Sequence, residues 1–185
     1  MNKFTLTLLT TFIFIGSSPV FSNLHKSKFR YNDYSLYSLK LPENMQIDSI
    51  AVHKQERELL VFSDDQVVKI YRIHLGINPE GSKKISGDFK TPEGLYHITN
   101  RNLMSQYHKS LGLSYPNATD ILNAKKLGKS PGGDVMIHGL PNRDEFVGMD
   151  RYQNDWTWGC IAMRNEEIDE LFTAINPGTP IFITP

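Results

Sequence analysis

Apolar residues along the 185-residue chain fall into short clusters, each separated by polar, glycine- and proline-containing stretches. Clusters of four to eight residues are strand-sized. Residues 49–53 form the first. Residues 59–62 and 67–75 flank Ser63-Asp64-Asp65-Gln66 and predict a hairpin. After a loop over 76–92, residues 94–99 predict another strand, and 101–131 predict loops with a short helix. Asp134 to His138 reads as a buried strand that breaks at Gly139; residues 140–158 read as loop, and 160–163 and 180–184 as two further strands. One helix stands out. Asn165 is placed as its N-cap, Glu166 and Glu167 oppose the positive end of the helix dipole, and Ile168, Leu171, Phe172 and Ile175 form one apolar stripe before Pro177 and Gly178 stop it. The expected fold class is mainly β with α additions, in a single domain over 49–185.

The first 22 residues follow a different pattern. Lys3 precedes an uncharged apolar run, and Val20-Phe21-Ser22 offers small residues for cleavage before Asn23. This is the layout of a secretory signal peptide, with an uncleaved N-terminal anchor as the alternative. Residues 23–48 are then an N-terminal arm. Either way the domain is expected outside the cytoplasm, exported to the periplasm or cell envelope. The net charge is +0 and no basic block occurs, so nucleic acid is not an expected partner. In an exported chain a single cysteine, Cys160, cannot form an internal disulfide. It is either a reactive thiol or a buried, inert small residue.

The surroundings of Cys160 bear on that choice. A histidine within reach of a thiol can take its proton, hold the thiolate as an ion pair and return the proton to a leaving amine. His138-Gly139 and Gly159-Cys160 both sit where an apolar strand meets a loop. The backbone N–H groups around Gly159 and Cys160 are candidates for an oxyanion hole. The alternative is a satisfied core histidine and turn glycines, and spacing alone does not exclude it. The other five histidines show no metal-ligand spacing, so no metal site is expected. His97 reads as structural, and His108 as a solvated loop residue.

The letters also carry a resemblance. Met136-Ile137-His138-Gly139 followed by Thr157-Trp158-Gly159-Cys160-Ile161-Ala162-Met163 resembles the L,D-transpeptidase catalytic domain, or YkuD domain, whose pattern is HG and then S/T-H-G-C-I/V-R. Lys90-Thr91-Pro92-Glu93-Gly94 with Tyr96-His97-Ile98, and Leu113 to Ala118, resemble further elements of it. Residues 155–162 are similar to the YafK-type branch. The resemblance implies a β-sandwich-like domain, no metal or organic cofactor, and action on peptidoglycan stem peptides in cell wall biogenesis and cell shape. Cys160 would be the nucleophile and His138 its base. Gly139 would orient the imidazole through its carbonyl, Gly159 would contribute to the oxyanion hole, and Tyr115, Trp158 and Arg164 would contact substrate. A wall-linked lipoprotein is a second candidate partner. Trp158 and Ala162 replace the histidine and arginine of the pattern, which leaves two acceptors open. One is an amine, giving transfer; the other is water, giving an amidase or endopeptidase that cleaves crosslinks or the peptidoglycan–lipoprotein linkage.

Overall fold

The computed structural model describes residues 34–143 and 154–185, all within the compact unit Asp33–Pro185. The expected signal segment and the start of the arm lie outside the described residues. The described part of the arm carries a short helix, α1 (Ser35–Ser38), and is tied to the domain: Ile47 is buried in the core and its N–H donates to the Ala174 carbonyl.

Eight strands follow: β1 (Ser49–His53), β2 (Glu58–Ser63), β3 (Gln66–Arg72), β4 (Gly94–Ser105), β5 (His108–Leu113), β6 (Met136–His138), β7 (Ile161–Ala162) and β8 (Pro180–Thr184). Among the described residues there are also two longer helices, α2 (Ala118–Lys126) and α3 (Asn165–Ala174). The spatial order is β3-β2-β1-β8-β4-β5-β6-β7. The domain is mainly β with few helices, as the apolar clusters predict.

Strand β4 joins two halves. Its first residues pair with β8 (Tyr96 opposite Ile181) and its later residues with β5 (Arg101 opposite Leu111). A register shift at Ile98/Asn100 marks the change of partner, and bulges of this kind bend a strand between sheets. The far ends also approach each other. Just beyond β3, His74 exchanges two backbone hydrogen bonds with Ala162 of β7, each 2.8 Å, and Gly76 bridges to Thr157. These bridges tie the loop before β7 to the opposite edge of the sheet.

One core fills the interior. Ile50, Val52, Leu59 and Val61 from one half meet Leu111, Ile137 and Ile161 from the other. The stripe Ile168, Leu171 and Phe172 of α3 closes it. Each such side chain, fully buried, contributes about 1.5–3 kcal/mol.

Three expectations are corrected. The region 101–131 holds the second half of β4 and all of β5, besides α2. His108 lies in β5 and its Nε2 is 2.7 Å from Asp169 Oδ1 on α3, so it is a docking contact and not a solvated loop residue. The cap of α3 is Arg164; Asn165 is the first helical residue, and its side chain has a different task, described below.

Candidate active site

Strands β6 and β7 run parallel, with His138 opposite Ala162 and Ile137 opposite Ile161. Continuing that register one residue upstream sets Cys160 opposite Met136. Alternation then brings Cys160 and His138 to the same face. The core half of the pair explains its rigidity, since Ile137 and Ile161 are fully buried. On the open face, Met136, His138, Trp158, Gly159 and Cys160 line one cavity of 730 Å³.

The imidazole is held from several sides. His138 is only 4% exposed. Its Nδ1 donates to the Gly139 carbonyl at 2.7 Å, which fixes the tautomer and leaves Nε2 as the basic nitrogen. The Tyr107 ring lies 4.5 Å away, tilted by 40°, and the Trp156 ring meets the imidazole edge-on at 5.7 Å. Burial pushes the imidazole pKa down to about 4, and the Gly139 contact offsets only part of that. Burial also pushes the Cys160 thiol up, against a lowering contribution from the Met136 backbone. Both shifts favour the neutral forms. A thiol and a neutral imidazole would require proton transfer to accompany attack, where the sequence leads one to expect a thiolate–imidazolium pair.

Local backbone requirements explain two glycines. Gly159 has φ +128°, and a Cβ there would stand 2.6 Å from the Lys90 carbonyl oxygen. At Gly139 a Cβ would meet Asn165 Oδ1 at 2.6 Å. That close approach lets Asn165 Oδ1 accept the Leu140 N–H at 2.8 Å. The peptide after Gly139 is thus pinned, and with it the carbonyl that orients His138. Asn165→Ala should lower kcat roughly tenfold with little change in KM, because a lost orienting hydrogen bond misplaces the base and not the substrate. Asn165→Asp retains an acceptor oxygen and should recover most of the loss. Equal kcat values for wild type and Asn165→Ala would refute this role.

The remaining expected residues divide. The Gly159 N–H donates to Thr157 Oγ1 at 3.1 Å, which removes it from the oxyanion hole. The Cys160 N–H has no acceptor among the described residues and is the donor left for that role. Trp158 is 79% exposed on the cavity wall, with Phe89 edge-on at 6.2 Å. Tyr115 is 5% exposed and does not line the cavity; its hydroxyl donates to the Pro131 carbonyl at 2.9 Å, and burial pushes the phenol above its usual range. Arg164 is also absent from the lining, and pairs with Glu167 at 2.7 Å at the start of α3. Ala162 is fully buried and pairs with His138 on one side and His74 on the other. Sequence reasoning missed Lys83, Phe89, Tyr107 and Asp134, all of which line the cavity. Nothing local in the sequence marks them. Among the described residues no cluster of three or more His, Cys, Asp or Glu side chains could hold a metal ion.

Comparison with known proteins gives a consistent answer. The family described as the L,D-transpeptidase catalytic domain, YkuD, matches residues 47–183. The protein described as "Putative L,D-transpeptidase YafK" of Escherichia coli K12 is 31% identical over 142 residues, covering 74% of this chain and 50% of YafK. YqjB of Bacillus subtilis 168, described likewise, is 30% identical over 138 residues, covering 73% of this chain and 70% of YqjB. The crystal structure of the helical cell shape determining protein Pgp2 from Campylobacter jejuni aligns with a TM-score of 0.55 at 26% identity, over 76% of this chain and 48% of that one. The chain spans about half the length of the first of these relatives and of Pgp2.

Proposed function

The chain belongs to the L,D-transpeptidase catalytic domain family, and on that premise we propose that it is an exported cysteine acyltransferase acting on peptidoglycan stem peptides, at work in the periplasm or cell envelope. The observation that carries this reading is the opening of Cys160 and His138 onto one cavity, with His138 Nδ1 anchored so that Nε2 is the base.

In the first step Cys160 Sγ attacks the carbonyl of the scissile amide while its proton passes to His138 Nε2. The Cys160 N–H faces the developing oxyanion. The tetrahedral intermediate collapses, the C–N bond breaks and His138 returns the proton to the leaving amine, which gives a thioester. In the second step an amine of another stem peptide attacks the thioester, His138 takes its proton, and Cys160 leaves as the thiol.

Water is in vast excess over any amine, so transfer requires that the acceptor be held in place. The wall formed by Trp158 and Phe89 is an apolar surface on which an acceptor stem can lie. The L,D-transpeptidase names given to YafK and YqjB support transfer, and the hydrolytic alternative is not favoured. A wall-linked lipoprotein is a further partner in this reading. The test incubates residues 23–185 with crosslinked and uncrosslinked muropeptides, with and without an added D-amino acid. Mass spectrometry should detect exchange products or new crosslinks. Loss of crosslinks or lipoprotein release, with no exchange product at high amine concentration, would replace transfer by hydrolysis.

A further inference from the structure

Lys83 has an unusual position for a lysine. It is 6% exposed, yet it lines the same cavity as Cys160. A charge at that depth is stable only when paired and hydrogen-bonded. Its Nζ donates to Asp88 Oδ1 at 2.9 Å and to the Ile85 carbonyl at 3.1 Å. An ammonium has three N–H groups. The third has no acceptor among the described residues; the Tyr115 ring faces the ammonium from further off, its centre 6.0 Å away.

Asp88 pairs with this cation and also organises the loop, because its carboxylate oxygens accept backbone donors as well. Oδ2 accepts the N–H groups of Lys84 and Ile85, at 2.7 and 3.0 Å, and Oδ1 accepts that of Lys90 at 3.2 Å. Burial works against the Asp88 charge, but these backbone donors and Lys83 outweigh it and hold the carboxyl below its usual range. The loop is therefore folded around Asp88, with Lys83 fixed inside it. That loop abuts the nucleophile's own segment: a Cβ on Gly159 would lie 4.0 Å from Lys83 Cδ. The cation is also within electrostatic reach of Cys160 and acts to lower the thiol pKa. Among the described residues the cavity wall carries one opposing charge, the exposed Asp134, which raises the Cys160 thiol by more than Lys83 lowers it.

We infer that Lys83 is the carboxylate-recognition residue of this site, its third N–H binding a free carboxylate of the donor peptide and so setting which amide is presented to Cys160. The inference rests on the acyl-transfer reading for the identity of the peptide, but not for the anion preference itself. Lys83 is a specificity residue here. A purely structural role, in which the ammonium only ties the loop to Asp88, predicts no preference between a carboxylate and its amide.

Iodoacetate and iodoacetamide separate the two. They alkylate the same thiol with the same leaving group and differ only in carboxylate against amide. The chain has one cysteine, so each adduct is unambiguous. For wild type the iodoacetate rate should saturate with concentration, and its ratio to the iodoacetamide rate should fall roughly tenfold or more in Lys83→Met, the loss expected for one charge-assisted hydrogen bond. Lys83→Arg should restore much of it. An unchanged ratio across folded variants would overturn the inference. A second measurement needs no variant: the free acid of a stem tetrapeptide should protect wild-type Cys160 from iodoacetamide, and the C-terminal amide should not. Equal protection by the two would overturn it as well. A Lys83-dependent ratio in a protein that forms no acyl-enzyme with any muropeptide leaves the inference standing and removes the acyl-transfer reading. Acyl-enzyme formation with no charge preference does the reverse.

Discussion

Cys160→Ala should abolish acyl-enzyme formation and reduce turnover by at least about a thousandfold, the scale expected when a covalent nucleophile is removed and only binding and oxyanion contacts remain. No other thiol can substitute, because Cys160 is the only cysteine. The variant should remain folded. The thiol's side-chain hydrogen bond is a weak contact to the Asp134 carbonyl at 3.5 Å, and an alanine at a cavity wall leaves no enclosed void. A change in stability within about 1 kcal/mol is expected. Intact-protein mass spectrometry with a muropeptide donor reads the first part, and thermal unfolding the second. Substantial turnover by a folded Cys160→Ala protein would eliminate the thiol mechanism.

His138→Asn should show two effects of different origin. The asparagine amide can still donate to the Gly139 carbonyl but offers nothing at the place of Nε2, so acylation should slow by about 10² to 10⁴. The second effect is on acid stability. The native imidazole titrates at about 4 and the unfolded one at 6.5. Between those values the unfolded chain binds more protons, so stability is fully present above pH 6.5 and is lost as pH falls toward 4. The loss approaches about 3 kcal/mol from this group, since one pKa unit corresponds to 1.36 kcal/mol. His138→Asn lacks the group, and its denaturation midpoint should fall less over that window. Parallel midpoints for the two proteins from pH 7 to pH 4 would show that His138 is not held neutral. Alkylation of wild-type Cys160 should also rise with pH into the alkaline range with no plateau on the acid side, because the resting thiol is protonated.

The strands that carry clustered apolar residues into the core were legible. Residues 59–62, 67–72 and 180–184 carry enough apolar side chains to read as strands from their letters alone. Strand β4 was legible only to Thr99, because the residues from there to Met104 are exposed and carry no hydrophobic alternation. Helix α2 has a cap signal: Asn117 accepts from the Asp120 N–H while Asp120 accepts from the Asn117 N–H. It lacks an apolar stripe, with only Ala124 buried and Ile121 and Leu122 facing solvent, so periodicity could not find it. The site divides in the same way. His138, Gly139, Gly159 and Cys160 stand beside one another in short motifs, at the ends of strands that are themselves apolar. Lys83 does not, because its burial is made by a loop wrapped around Asp88, and its place on the cavity by packing against Gly159. The task of Asn165 was equally hidden. Its letter is that of a cap, and only the long-range approach of Gly139 shows what its side chain does.

Strand β8 lies between β1 and β4, and its parallel pairing with β1 joins residues some 130 positions apart, as in the contact from Thr184 Oγ1 to the Val52 carbonyl. Such pairings are entropically slow to form. Within the strand order the β1–β2–β3 layer joins the strands that carry His138 and Cys160 through β8, and the His74–Ala162 bridge is its second link to them. A ribosome that stops short of Pro180 releases a chain with two unsatisfied sheet edges, at β1 and at the start of β4, where exposed backbone N–H and C=O groups invite pairing with other chains. Premature termination therefore yields material for proteolysis or aggregation, and not a partly working enzyme with its thiol exposed.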